Sequence, residues 1–270
     1  MEINTKDYLR KMRLRIARHH FINWTTSVHT RVDLDMTRPK EFLVEAKLAA
    51  TRPHVTLEHL WLCAAARVLR ARPVFNVAYD GLREIIPKDE IHLRVSFNLD
   101  GKLAWGIIEN ADKLNPTQMA NAYSHASQNT VGPECVTQSP TVRRGRVGRL
   151  LDDILATAVD LAPQVEKRFG LGPGEDGGTF TVLNAGAFGA EDLHAVLLRP
   201  AAAMLVVLKP KFVVEPGEQG PVVVERVPMS VPFNHNLMDT DAAGYFLFHM
   251  QQMLDEPEKY LYGQNLEKAT

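Results

Sequence analysis

A chain of 270 residues can bury a substantial hydrophobic core without disulfides or metals. Its 45% hydrophobic and 23% charged residues are those of a soluble globular protein, and 31 Lys and Arg against 32 Asp and Glu leave a net charge of only −1, with no global charge to recruit nucleic acid or an acidic membrane. No apolar run approaches the roughly 18 residues of a spanning helix, which excludes a helical membrane protein.

The opening Met1-Glu2-Ile3-Asn4-Thr5-Lys6-Asp7 carries no secretory signal, so a cytoplasmic protein is expected. Residues 5–22 read as a helix with Tyr8, Leu9, Met12 and Ile16 on one side. Val28, Thr30, Val32, Leu34 and Met36 alternate with polar neighbours and predict a strand. Helices follow at 38–51 and 56–72, the second with Thr56 as N-cap and Glu58 close behind. Short strands are expected at 74–80, 91–98 and 102–109, the last two joined by the hairpin dipeptide Asp100-Gly101. A helix at 117–129, a long loop at 130–145 and an amphipathic helix at 147–165 come next. Strands at 178–185, 203–214 and 222–234 complete one mixed sheet, and a helix at 240–255 closes the chain. Pro228 suggests an edge or a bend in its strand.

Several motifs are poor bearers of chemistry. Cys63 and Cys135 form no Cys-x-x-Cys pair, and Cys63 sits in the apolar run Leu60-Trp61-Leu62-Cys63-Ala64 as a small core residue. Gly172-Pro173-Gly174-Glu175-Asp176-Gly177 spells a dinucleotide fingerprint. It follows a helical pattern, precedes a strand and carries two acids, so it reads as a turn. His19, His20, His29, His54 and His59 lack a zinc-type spacing, so no metal is expected. Arg143, Arg144, Arg146 and Arg149 form either a solvated face or a contact for the phosphates of CoA or of a carrier-borne arm.

The segment Pro232-Phe233-Asn234-His235-Asn236-Leu237-Met238-Asp239 lies between the last strand and the last helix. A histidine at a strand end can project into a cleft, and an aspartate four positions on can anchor its turn. Alone, this spacing is a weak pattern.

The order of segments resembles the catalytic domain of dihydrolipoamide acyltransferases, relatives of chloramphenicol acetyltransferase. Lys11-Met12-Arg13-Leu14-Arg15-Ile16-Ala17 is similar to that family's opening helix motif, and Thr26 to Thr37 to its first strand. Glu109-Asn110-Ala111-Asp112-Lys113-Leu114 and Gly177-Gly178-Thr179-Phe180-Thr181-Val182-Leu183-Asn184 match further segments, and Phe233 to Leu261 resembles its histidine motif and final helix. The resemblance implies an α/β fold, a chloramphenicol acetyltransferase-like mixed sheet flanked by helices. It also implies a homotrimer with active sites in channels at subunit interfaces. It makes His235 the general base that deprotonates a small or carrier-borne thiol, hydroxyl or amine acceptor for attack on acyl-CoA, with coenzyme A as the acyl carrier. Arg13 and Asp239 become an ion pair bracing the histidine turn.

Departures from the family pattern bear on activity. The serine that donates to the oxyanion falls at Leu183, a loss worth on the order of a hundred- to a thousandfold in rate. Thr181 faces the same side one pleat away and is the candidate substitute. Thr240 stands where the family has glycine and Asn234 where it has aspartate, and Thr240 or Asp239 is expected to cap the last helix. The stretch around 130–168 is longer than in the family and reads as an insertion in a single domain spanning 1–270, with no lipoyl domain before it. The expectation is a CoA-dependent acyltransferase that forms a homotrimer and associates with an oxoacid dehydrogenase-type or carrier protein. A catalytically weakened scaffold is the alternative.

Overall fold

The computed structural model describes residues 27–46, 54–79, 85–130, 178–197, 201–218 and 220–263. The expected helix at 5–22 with Arg13, the amphipathic helix at 147–165, the basic cluster and the glycine-rich turn lie outside these residues, as does nearly all of the loop at 130–145.

Strand β1 (Ser27–Asp35) leads into helix α1 (Thr37–Glu45), with the Asp35 carboxylate accepting from the Thr37 N–H at 2.7 Å. Helix α2 (Leu57–Ala71) opens with a reciprocal cap of unusual composition. Thr56 holds the N-cap, and the side chain that returns to its N–H is His59, through Nδ1 at 3.0 Å, rather than Glu58. Leu60 through Ala66 and Val68 are almost wholly buried, because, among the described residues, four other helices pack around α2 and its apolar side chains join the main core. Removing one of its large side chains, as in Leu62→Ala, is expected to cost about 2–5 kcal/mol.

The expected strand at 74–80 is shorter. A 3₁₀ turn (Pro73–Phe75) precedes β2 (Val77–Tyr79), which forms a two-stranded ladder with β3 (Ile85–Pro87) and a single bridge from Ala78 to Ala201. Proline fixes the turn's backbone and breaks the ladder. Strands β4 (Leu93–Leu99) and β5 (Lys102–Ile108) form the expected hairpin. Asp100 at φ 52° and Gly101 at φ 79° both adopt the left-handed backbone its two-residue turn requires. Helix α3 (Pro116–Gln128) lies so close to β5 that a Cβ on Gly106 would stand 2.5 Å from the Ala126 carbonyl oxygen.

After β6 (Phe180–Asn184) the single strand expected at 203–214 is two, β7 (Met204–Val207) and β8 (Lys211–Gly217). Both pair with the long β9 (Gly220–Asn234). Pro228 is therefore interior to a central strand rather than at an edge. Its carbonyl accepts from Leu208, so its missing N–H faces the place where the chain passes from β7 to β8 and no ladder bond is lost. Helices α4 (Thr240–Asp255) and α5 (Pro257–Leu261) close the fold. The buried guanidinium of Arg67 donates to the carbonyls of Leu261 at 2.9 Å and Leu114 at 3.2 Å, and to that of Tyr260, fixing α5 on α2.

The main sheet is seven-stranded in the order β1-β9-β7-β6-β4-β5, with β8 also on β9. One face carries Val95, Phe180, Val182, Leu205, Met229, Val231 and Phe233 against the helices; Phe180 stacks on Phe246 of α4. The opposite face carries Leu183, Met204, Val206 and Leu208, covered by Leu193, Ala195 and Leu197 of the segment that follows β6. The site lies where these two layers end.

Candidate active site

His235 is the first residue beyond β9, and the buried Asn234 shapes its turn. The Asn234 N–H donates to Ala202, its carbonyl accepts from Leu237 at 2.9 Å and Met238 at 3.3 Å, and its Oδ1 accepts from the Asn236 N–H at 3.0 Å. The asparagine thus closes the same kind of side-chain turn an aspartate would.

His235 Nδ1 lies 3.2 Å from the Met238 carbonyl oxygen. A carbonyl only accepts, so Nδ1 carries the proton and Nε2 keeps its lone pair. The side chain is 45% exposed, with the ring edge-on to Phe233 at 6.2 Å. The backbone therefore selects the tautomer in which the outer nitrogen can accept a proton.

Asp239 is in the same turn, but its Oδ1 stands 3.9 Å from His235 Nδ1, beyond hydrogen-bonding reach, and its side chain is 86% exposed. It takes the N-cap position of α4 without a capping bond from its side chain. The expectation that Asp239 or Thr240 caps the helix is met in position by Asp239 but not by a side-chain bond: the Ala242 N–H donates to the Asp239 backbone carbonyl at 3.2 Å and to the Asp241 carboxylate at 2.8 Å. Arg13, the expected partner of Asp239, lies outside the described residues.

Thr181 is buried on β6, opposite Met204 of β7. It shares its face with Leu183, whose side chain packs into the apolar cluster of Ala185, Leu197, Met204 and Val206. Strand β7 lies between this pair on β6 and the end of β9 that carries His235. Among the described residues, no hydrogen bond joins Thr181 to His235. One chain keeps its histidine turn apart from the strand expected to face the oxyanion.

Asn184, next along β6, turns to the helix face. Its Nδ2 donates to Glu58 Oε1 at 3.0 Å, its Oδ1 accepts from Ala187 at 3.1 Å, and its N–H donates to Ser96 Oγ at 2.8 Å. Tyr123 of α3 lies against Phe97 and His59 and acts on Glu58 through its hydroxyl. Burial raises the Glu58 carboxyl above the usual range, opposed by the bond from Asn184 and by the Tyr123 hydroxyl. Burial together with the neighbouring carboxylate raises the Tyr123 phenol, and burial pushes the His59 imidazole down to about 4. Glu58 carried one weak sequence signal: an acid and a histidine side by side at the start of an otherwise apolar helix. Its tie to Asn184 crosses 126 residues of sequence.

Cys63 is fully buried and burial pushes its thiol up to about 12, as suits a core residue rather than a nucleophile. Among the described residues, no group of three or more His, Cys, Asp or Glu is arranged to hold a metal, and no helix is long and apolar enough to cross a membrane.

A family model described as the 2-oxoacid dehydrogenases acyltransferase catalytic domain matches residues 2–133 and 159–262. The dihydrolipoyllysine-residue acetyltransferase component of the acetoin cleaving system of Bacillus subtilis is 27% identical over 205 residues, covering 75% of this chain and 42% of the relative. The chain thus spans about two fifths of the length of that relative. Among solved structures, the dihydrolipoamide acetyltransferase of Azotobacter vinelandii superposes with a TM-score of 0.65 at 19% identity, covering 93% of this chain and 91% of that one. A chloramphenicol acetyltransferase superposes at 0.52 with 11% identity, covering 97% and 99%. The expected chloramphenicol acetyltransferase-like mixed sheet flanked by helices is the fold observed.

Proposed function

Because the chain belongs to the family of 2-oxoacid dehydrogenase acyltransferase catalytic domains, we propose that it transfers an acyl group between coenzyme A and a dihydrolipoyl thiol, with His235 as general base. The observation that carries this reading is the His235 turn, where Met238 holds the Nδ1 proton and leaves the lone pair to Nε2 in a side chain that is 45% exposed. In the Azotobacter enzyme, the serine, histidine and asparagine investigated for their roles in the catalytic mechanism are spaced 52 and 4 residues apart. The same intervals lead here from Leu183 to His235 and on to Asp239, which supports both the histidine and the loss of the serine.

The chemistry balances without an acyl-enzyme. Nε2 takes the proton of the acceptor thiol, and the thiolate sulfur attacks the carbonyl carbon of the acyl-CoA thioester. The tetrahedral oxyanion then collapses, breaking the bond to the CoA sulfur, which recovers its proton from the imidazolium. With leucine at 183, Thr181 is the residue proposed to donate to the oxyanion. Asp239 is proposed to brace the turn with Arg13.

Separation of His235 from Thr181 and Leu183 within one chain favours a site completed between subunits of a homotrimer. The exposed apolar hairpin of β8 and β9, with Phe212, Val214 and Val223, is a surface that such an assembly would cover. Interruption of the family match between residues 133 and 159 supports an insertion in a single domain. Association with an oxoacid dehydrogenase-type partner is proposed on the likeness to relatives that are components of such complexes.

Purified chain incubated with acetyl-CoA and dihydrolipoamide should form the lipoyl thioester, and His235→Ala should lose on the order of a hundred- to ten-thousandfold in kcat while keeping its oligomeric mass. Equal rates in parent and variant would remove His235 from the mechanism. An inactive parent that still assembles would favour the weakened scaffold, the reading suggested by Leu183.

A further inference from the structure

We propose that Glu58 is a positioning residue for acyl transfer, holding through Asn184 the corner at which β6 ends. This rests on the proposed function, since it concerns the strand that presents Thr181 and Leu183. Three ties meet at that corner. Asn184 is held from the helix layer by Glu58, and its N–H is held from β4 by Ser96. Asn98 of β4 donates to the Ala187 carbonyl at 2.7 Å across the same turn. Asn184 Oδ1 spans the turn to Ala187, and Gly186 lies so close to β7 that a Cβ would stand 2.6 Å from the Leu208 carbonyl.

The corner is closed against backbone on one side, so the side-chain tether on the other sets where Leu183 and the segment covering it stand. The Tyr123 hydroxyl of α3 also acts on this carboxyl, which stands between α2, α3 and β6. Glu58 itself is on the helix face, away from Thr181 and Leu183, so it acts through Asn184 and touches no reacting atom. A misplacement of about 1 Å at a reacting strand is worth up to about a hundredfold in rate.

The test compares the parent chain with Glu58→Ala, Glu58→Gln and His235→Ala, measuring kcat, the KM for acetyl-CoA and the melting temperature. Glu58→Ala should lower kcat on the order of ten- to a hundredfold while KM stays within about threefold. Glu58→Gln should restore most of kcat, because its amide oxygen still accepts from Asn184. If Glu58→Ala does not fold, Tyr123→Phe replaces it, with kcat expected to fall about three- to tenfold at retained KM. Parent-like kcat in the alanine variant, or in Tyr123→Phe where that replaces it, overturns the inference. So does equal loss in the alanine and glutamine variants with equal loss of melting temperature. Failure of this inference alone is an active parent, a dead His235→Ala and an unaffected Glu58→Ala; an inactive parent overturns the acyltransfer reading with it.

Discussion

Replacing Leu183 by serine returns a hydroxyl to the strand position at which an oxyanion donor is expected, and the structure sets both sides of the outcome. Leu183 is half-buried in the small cluster of Ala185, Leu197, Met204 and Val206. Full burial of a leucine contributes about 1.5–3 kcal/mol, so the exchange should cost about 1–2 kcal/mol of stability. The new hydroxyl is near enough to solvent to stay hydrated when no substrate is bound. A single oxyanion donor is worth about 3–4 kcal/mol in the transition state, or a hundred- to a thousandfold in kcat. Thr181 lies two residues away on the same face, roughly 6.6 Å along the strand, so it cannot occupy the same point. Steady-state kinetics with acetyl-CoA and dihydrolipoamide, alongside urea unfolding, should show kcat rising in Leu183→Ser while the midpoint falls. If Thr181 is the working donor, Thr181→Val should lower kcat by about a hundredfold and the serine should add little. Unchanged kcat in both variants would refute the oxyanion reasoning.

Arg13→Ala and Asp239→Asn should each lower kcat, and the double variant should lose little more than either single one; fully additive losses in the cycle would remove the pair. His59 is pushed from an ordinary 6.5 to about 4 by burial, and its Nδ1 already accepts from Thr56. The unfolded chain therefore binds the extra proton first: stability is full above pH 6.5 and should fall by up to roughly 3 kcal/mol as pH drops toward 4. Denaturant midpoints across that window should slope in the parent and flatten in His59→Gln; equal slopes would count against the assignment. Aspartates at Phe212 and Val214, both about 70% exposed, should convert a trimer into monomers by light scattering, since two buried charges would be unpaired in the interface. The parent should scatter as three chains. A stable particle several times larger would overturn the expectation that assembly stops there.

The sequence by itself determined the elements with strong periodicity or fixed turn chemistry. The alternation around Val32 made β1, and Asp100-Gly101 made the β4–β5 hairpin because both residues tolerate the left-handed backbone. The apolar run after Thr56 made α2. Family register pointed to His235, Asp239 and Leu183, because motif order survives where local propensity says little. What only the tertiary structure decided are the pairings between distant segments. The split of β7 from β8, and the central place of Pro228, depend on which partner strand β9 meets at each step. The tautomer of His235 is fixed by the Met238 carbonyl, whose direction follows from how Asn234 turns the chain. Asp239 was legible as a turn residue, but its exposure, and its place at the N-cap without a side-chain capping bond, depend on backbone angles that composition does not encode. Glu58 and Asn184 carry no mutual sequence signal because a hydrogen bond across 126 residues is set by the packing of helix on sheet.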